Sequence, residues 1–156
     1  MKLAINVMAM LIAFTAVVAA ANWVLGNLVS PIGWHTEKPL QEVFGYVNAP
    51  FAWLMGIPAK DCVAVGQILG ERIVLNEFFG YMSLSAQKAT LDPRSYTLAT
   101  YALSGFANLG SIAIQIGGIG ALVPARRPDL VRLGLRAMIG GVLACYMTAC
   151  IAGILL

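Results

Sequence analysis

Long uncharged stretches alternate with short charged ones along this chain. No Asp, Glu, Lys or Arg interrupts the run between Lys2 and Glu37. Its apolar part, residues 3–29, is long enough for a tilted membrane-spanning helix, which needs about 20 apolar residues. Ser95 to Ala125 is uncharged over 31 residues, and Ala137 to Leu156 over 20 more. Both read as spans, at 95–125 and 133–156. Inside the first of these, Gly105 and Gly110 bracket Asn108, and Gly117, Gly118 and Gly120 follow. Glycine weakens a helix and Asn offers local hydrogen bonds, so a break near Asn108 is predicted.

Two other stretches break the pattern. Residues 37–60 carry Glu37, Lys38 and Glu42, then Phe44, Tyr46, Phe51 and Trp53, with prolines at 39, 50 and 58. Aromatic side chains favour the headgroup level, so this reads as an interfacial segment. Residues 61–88 are apolar yet contain Glu71, Arg72, Asn76 and Glu77, with glycines at 66, 70 and 80. Such a centre is too polar for a plain span. A re-entrant hairpin fits, two short helices meeting at a tip, because irregular backbone at membrane depth is tolerated where protein or a watery cavity surrounds it. The predicted fold is an all-α integral membrane protein. It has three membrane-spanning helices, one of them broken, a re-entrant helical hairpin and an interfacial segment.

The start of the chain also admits a secretory signal peptide, with Lys2 before an apolar core of residues 3–18 and Ala19-Ala20-Ala21 as a cleavage site. The apolar run continues past those alanines through Trp23, Val24 and Leu25, which speaks against it.

Composition supports the membrane reading. Of the residues, 60% are hydrophobic and 11% charged, against about 25% charged in a soluble domain. The net charge of +3 is too diluted by apolar sequence to imply a nucleic-acid partner. Arg126, Arg127, Arg132 and Arg136 face one acid, Asp129, in the connector before the last span. The positive-inside rule makes that connector cytoplasmic, with the last span running outward. Lys2 puts the N-terminus inside as well, which agrees if 61–88 enters and leaves from the outer side. Trp34 and His35 would then mark the outer edge of the first span. Cys62, Cys145 and Cys150 are odd in number and lack metal spacing, and read as small packing residues. No serine elbow, Cys/His pair or phosphate loop appears, so an enzyme is not expected.

Glu77 carries the most information. A charge at the bilayer centre costs about 2.5–3.5 kcal/mol, so it faces a cavity or a partner. It reads as a ligand or ion contact, or as the ion-pair partner of Arg72 or of another helix. Asn76 beside it can donate and accept. Asn108 and Ser111, three apart, share a helical face and suit either a polar ligand or contacts between helices. Phe106 can stack on a ring or simply pack. Gly66-x-x-x-Gly70 is a weak helix-packing pattern. Two discontinuous segments with polar residues at depth match the substrate site of a secondary transporter, here for a small polar solute.

Gly70-Glu71-Arg72-Ile73-Val74-Leu75-Asn76-Glu77-Phe78-Phe79-Gly80-Tyr81 resembles the signature G-x-K-x-x-x-N-E-F-V-A-Y of the concentrative nucleoside transporters. The stretch from Gly105-Phe106-Ala107-Asn108 to Gly118 resembles that family's second substrate-binding segment. Leu40 to Pro58 and Pro124-Ala125-Arg126-Arg127 are also similar. The resemblance implies part of a sodium- or proton-coupled nucleoside importer in the plasma (inner) membrane, a homotrimer with an elevator-like movement and no other cofactor. It implies substrate contacts by Glu77, Phe106, Asn108 and Ser111, with Glu77 and Asn108 on ribose hydroxyls and Phe106 against base or ribose; Asn76, beside Glu77, joins them as a candidate substrate contact on its own chemistry. Residues 3–29 resemble a scaffold helix of that family. Arg72 stands where the motif has Lys, and Phe79 and Gly80 replace Val and Ala. The family is longer: its N-terminal repeat, with the rest of the substrate site and the cation ligands, is not in this sequence. A truncated, non-transporting membrane remnant is the alternative.

Overall fold

The computed structural model describes residues 2–33, 36 and 38–156. Trp34, His35 and Glu37, read above as a membrane edge and the start of an interfacial stretch, lie outside the described residues. Among the described residues, seven α-helices follow in order: α1 Lys2–Val29, α2 Pro39–Leu54, α3 Ala59–Val74, α4 Glu77–Ala86, α5 Pro93–Leu103, α6 Leu109–Leu122 and α7 Arg127–Leu155. Short 3-10 turns at Ser30–Ile32 and Pro124–Arg126 follow α1 and precede α7. No strand occurs among the described residues.

The longest helices are the first and last. At 1.5 Å per residue, the 28 residues of α1 reach about 42 Å, more than the roughly 30 Å hydrocarbon core of a bilayer. The stretch Pro124–Leu155 is long and apolar enough to cross a membrane by length and composition. Beyond the exposed Arg126, Arg127, Arg132 and Arg136, its outward side chains are apolar almost throughout: Ile139, Leu143, Met147, Ile151 and Ile154 are all exposed. A stripe of that size needs lipid or protein against it.

Residues 37–60, expected as an interfacial segment, form a 16-residue helix over most of their length. The three prolines act differently. Pro39 sits in the first turn of α2, where its missing N–H costs nothing. Pro58 precedes α3, and Pro50 lies inside α2 without ending it. Helix α2 turns back on α3 through Gly56, whose φ of +87° suits glycine. The two backbones then run very close. A Cβ on Gly70 would lie 2.8 Å from the Gln41 carbonyl oxygen, and one on Gly66 would strike the Gly45 carbonyl. The Gly66-x-x-x-Gly70 pattern is therefore used, with small residues admitting the neighbouring helix.

Helices α3 and α4 meet at Leu75–Asn76, within the stretch expected to be a hairpin. The helix stops because Asn76 adopts extended backbone, φ −167° and ψ 177°, and its side chain caps α4, accepting from Phe78 N and Phe79 N. Helix α4 folds back along α3, where Ser83 donates to Glu71. The next long apolar stretch is broken as well: α5 ends at Leu103 and α6 begins at Leu109. At 14 residues, α6 reaches about 21 Å, too short to cross a bilayer alone.

The core lies where α3, α5 and α7 converge, on Val65, Leu69, Leu98, Ala99, Leu103 and Ala149, all fully buried. Buried polar groups fasten its edges. Asp61 at the start of α3 accepts from Ser95 Oγ at 2.6 Å and from Asp92 N at 3.0 Å. Tyr146 of α7 donates to Asn48 of α2. Arg94 donates to the carbonyls of Gly56 and Gly153, tying the α2–α3 turn to the end of α7.

Candidate functional site

Both helix breaks come together at one carboxylate. Glu77 is the first residue of α4, set there because Asn76 ends the preceding backbone and caps the new helix. Asn108 does the same for α6. Its Oδ1 accepts from Ser111 N at 2.8 Å, and Asn108 N donates to Ser111 Oγ at 3.2 Å, a reciprocal capping box. The Asn108 amide nitrogen then reaches across to Glu77, 3.0 Å from each carboxylate oxygen. The backbone N–H of Ala107 donates to Glu77 Oε1 at 3.1 Å. Two helix N-termini thus meet at a negative charge, an arrangement that their partial positive charges favour.

Glu77 keeps 14% of its side-chain surface accessible. Its Oε1 takes both donors from the broken segment, while Oε2 takes only the Asn108 bond among the described residues. Arg72 Nε lies 3.9 Å from Oε1, close enough for charge attraction and too far for a hydrogen bond. The two readings of Glu77 are therefore compatible: it sits beside Arg72, but its hydrogen bonds go to the α5–α6 break.

The five residues expected at the site fall into three groups. Glu77, Asn108 and Ser111 are in direct or consecutive contact. Asn108 is 1% exposed, and its amide is spent on Glu77 and on the cap. The Ser111 hydroxyl, also buried, is spent on the Asn108 backbone, donating to its carbonyl at 2.6 Å. Asn76 is one residue from the carboxylate, with its carbonyl oxygen engaged as a cap. Phe106 stands apart: it lies in the loop of the break and is 64% exposed. Among the described residues, the groups of these five left to meet a ligand are the Phe106 ring, the side-chain amide nitrogen of half-buried Asn76 and the second lone pair of Glu77 Oε2.

Sequence reasoning passed over the Ala107 N–H, which is invisible to any reading of side chains. The signal that could have found it is the break itself, since a helix start leaves its first N–H groups unpaired.

The family described as Na+ dependent nucleoside transporter C-terminus matches residues 1–153, and the chain belongs to it. The Bacillus subtilis (strain 168) protein named "Uncharacterized transporter YutK" is 40% identical over 153 residues, covering 98% of this chain and 38% of that protein. "Sodium/nucleoside cotransporter 1" of Rattus norvegicus is 40% identical over 173 residues, 99% of this chain and 26% of that one. Among solved structures, a single-substitution variant of CNTnw in its intermediate 2 state superposes with a TM-score of 0.89 at 36% identity, over 99% of this chain and 39% of that one. CNTnw in an inward-facing substrate-bound state gives 0.80 at 36% identity, over 97% and 38%. The chain spans less than two-fifths of the length of these relatives.

Proposed function

We propose that this chain supplies half of the substrate site of a cation-coupled nucleoside importer, with Glu77 as the acceptor of ribose hydroxyls. One observation carries the reading. The Glu77 carboxylate is held by Asn108 and Ala107, its Oε2 takes only the Asn108 bond among the described residues, and the exposed Phe106 is the residue just before Ala107. A charged acceptor with a spare lone pair, on the same helix break as an exposed aromatic ring, suits a molecule with vicinal hydroxyls and a flat base. Membership of the nucleoside transporter family points to the same class of ligand.

In this reading Asn108 and Ser111 orient Glu77 and the break, and Asn108 reaches ribose only if the carboxylate moves. Asn76 shapes the tip of a re-entrant α3–α4 hairpin. Helix α1, the broken α5–α6 pair and α7 cross the plasma (inner) membrane, with α2 at its interface. The remaining walls of the site and the ligands for sodium or a proton belong to the N-terminal part of the transporter, and the working unit is a homotrimer. Transport then needs that part.

Labelled-uridine uptake by cells producing this chain, with and without the N-terminal part of a family member, tests the proposal. Saturable uptake is expected only with both. Saturable uptake by the purified chain alone in liposomes would overturn the half-site role, and none from the pair would favour a non-transporting remnant. For orientation, a cysteine placed at Asp129 should react with impermeant reagents only after the cells are opened.

A further inference from the structure

Arg72 is an anomaly. Its side chain is fully buried at the end of α3. Nη2 donates to the Gly105 carbonyl at 2.8 Å and lies 3.3 Å from Cys145 Sγ. Nε and Nη1 have no hydrogen-bond partner among the described residues. A buried guanidinium with two of its three nitrogens unpaired is costly, and a nearby counter-charge is what makes it tolerable. Glu77, 3.9 Å from Nε, supplies that charge. Two glycines make the room: a Cβ on Gly80 would stand 3.4 Å from Arg72 Cβ, and one on Gly105 would stand 3.4 Å from Nη2.

We infer that Arg72 is a positioning residue, acting on substrate through Glu77. Its bond to Gly105 fixes the backbone just before Ala107 and Asn108, the two donors that hold the carboxylate. Its charge draws Oε1 toward the protein. The carboxylate is thereby turned so that Oε2, with one protein donor, points its spare lone pair at the ligand. A residue serving only as a packing pin between α3, α5 and α7 would bond Gly105 in the same way but would be indifferent to the charge on Glu77.

This rests on the nucleoside reading of Glu77, and two measurements keep the two ideas apart. Uridine affinity is measured in the assembled transporter for Arg72→Gln, Arg72→Lys, Glu77→Gln and Arg72→Gln/Glu77→Gln. Glutamine can still donate to Gly105 but lacks the charge. Arg72→Gln should weaken uridine about tenfold when Glu77 is present and less than twofold when Glu77 is already Gln, the non-additivity expected of residues acting as a unit. Arg72→Lys, which keeps the charge, should stay within about threefold of wild type. Equal losses in both Glu77 backgrounds, or a tenfold loss in Arg72→Lys, would overturn the inference. In the second measurement the Asn108 side-chain amide resonances of this chain are followed by NMR in lipid nanodiscs. Arg72→Gln should shift them as the carboxylate relaxes, and Arg72→Lys should leave them near wild type. Should Arg72→Gln fail to fold, Arg72→Lys decides alone, by its affinity and by those resonances. A wild-type assembly that binds no uridine defeats the nucleoside reading, and Arg72 is then judged by the resonances: unchanged in Arg72→Gln, they remove its role.

Discussion

The two helix breaks use the same residue type at the same position for different ends. Asn76 caps α4 with its carbonyl oxygen, accepting from Phe78 N and Phe79 N, and is half-buried. Asn108 caps α6 in the same way, but is almost fully buried and sends its amide nitrogen to the Glu77 carboxylate 31 positions away in sequence. The first break presents a charge and the second holds it. Capping explains why Asn suits both places, and only the second demands a donor as well as an acceptor.

Asn108→Asp is therefore the most damaging simple change. It keeps a good capping oxygen but places a second carboxylate where the amide met Glu77. We expect uridine binding by the assembled transporter to fall at least a hundredfold, since breaking a buried, charge-assisted contact costs about 3–5 kcal/mol. The same substitution at Asn76 should leave thermal stability within about 0.5 kcal/mol, as Asp and Asn are comparable caps. Equal damage at the two sites would erase the distinction drawn between them.

Gly105→Ala comes next. The new Cβ would fall on Cys145 Sγ and press toward the Arg72 guanidinium. Overpacking of this kind costs about 1–3 kcal/mol, and should lower the melting temperature. Pairing it with Cys145→Ala should recover most of the loss if that clash is the cause.

Glu77→Gln is expected to weaken uridine about tenfold. A hydrogen bond to a charged group is worth about 1.5–3 kcal/mol against about 1 for a neutral pair. The affinity of the 2′,3′-dideoxy analogue, which lacks the hydroxyls, should change far less. Parallel losses for both ligands would count against ribose recognition. A smaller effect than that of Glu77→Gln belongs to Asn76→Ala, about 1 kcal/mol of stability from a lost cap, with affinity for the nucleoside and the analogue falling together. A selective loss of the nucleoside would instead give Asn76 a direct contact.

Much of this was legible from residue order. A carboxylate inside an apolar run has to be accounted for wherever it occurs, so Glu77 stood out. Glycines around Asn108 predicted a break, and the helix does stop between Leu103 and Leu109. The uses of the polar residues were less legible. Asn108 and Ser111 read as partners on one face offering hydrogen bonds to a ligand. In the fold they are the N-cap and third residue of α6, and they satisfy each other. The aromatic and proline content of residues 37–60 concealed a helix packed along α3 through glycines, because Pro39 and Pro58 punctuate helix starts and Pro50 is absorbed within α2.

Local pattern, then, determined the helical class, the apolar stretches, the out-of-place charge and the family likeness, because each depends on residues a few positions apart. Tertiary structure alone decided the partners. Glu77 meets Asn108, and Arg72 meets Gly105, 33 positions on. Whether a buried Asn serves a ligand, a cap or a carboxylate depends on which atoms come within 3 Å after α4 folds back on α3 and α5 gives way to α6. Helical periodicity carries no information about separations of that length, which are set by the packing of whole helices around the core.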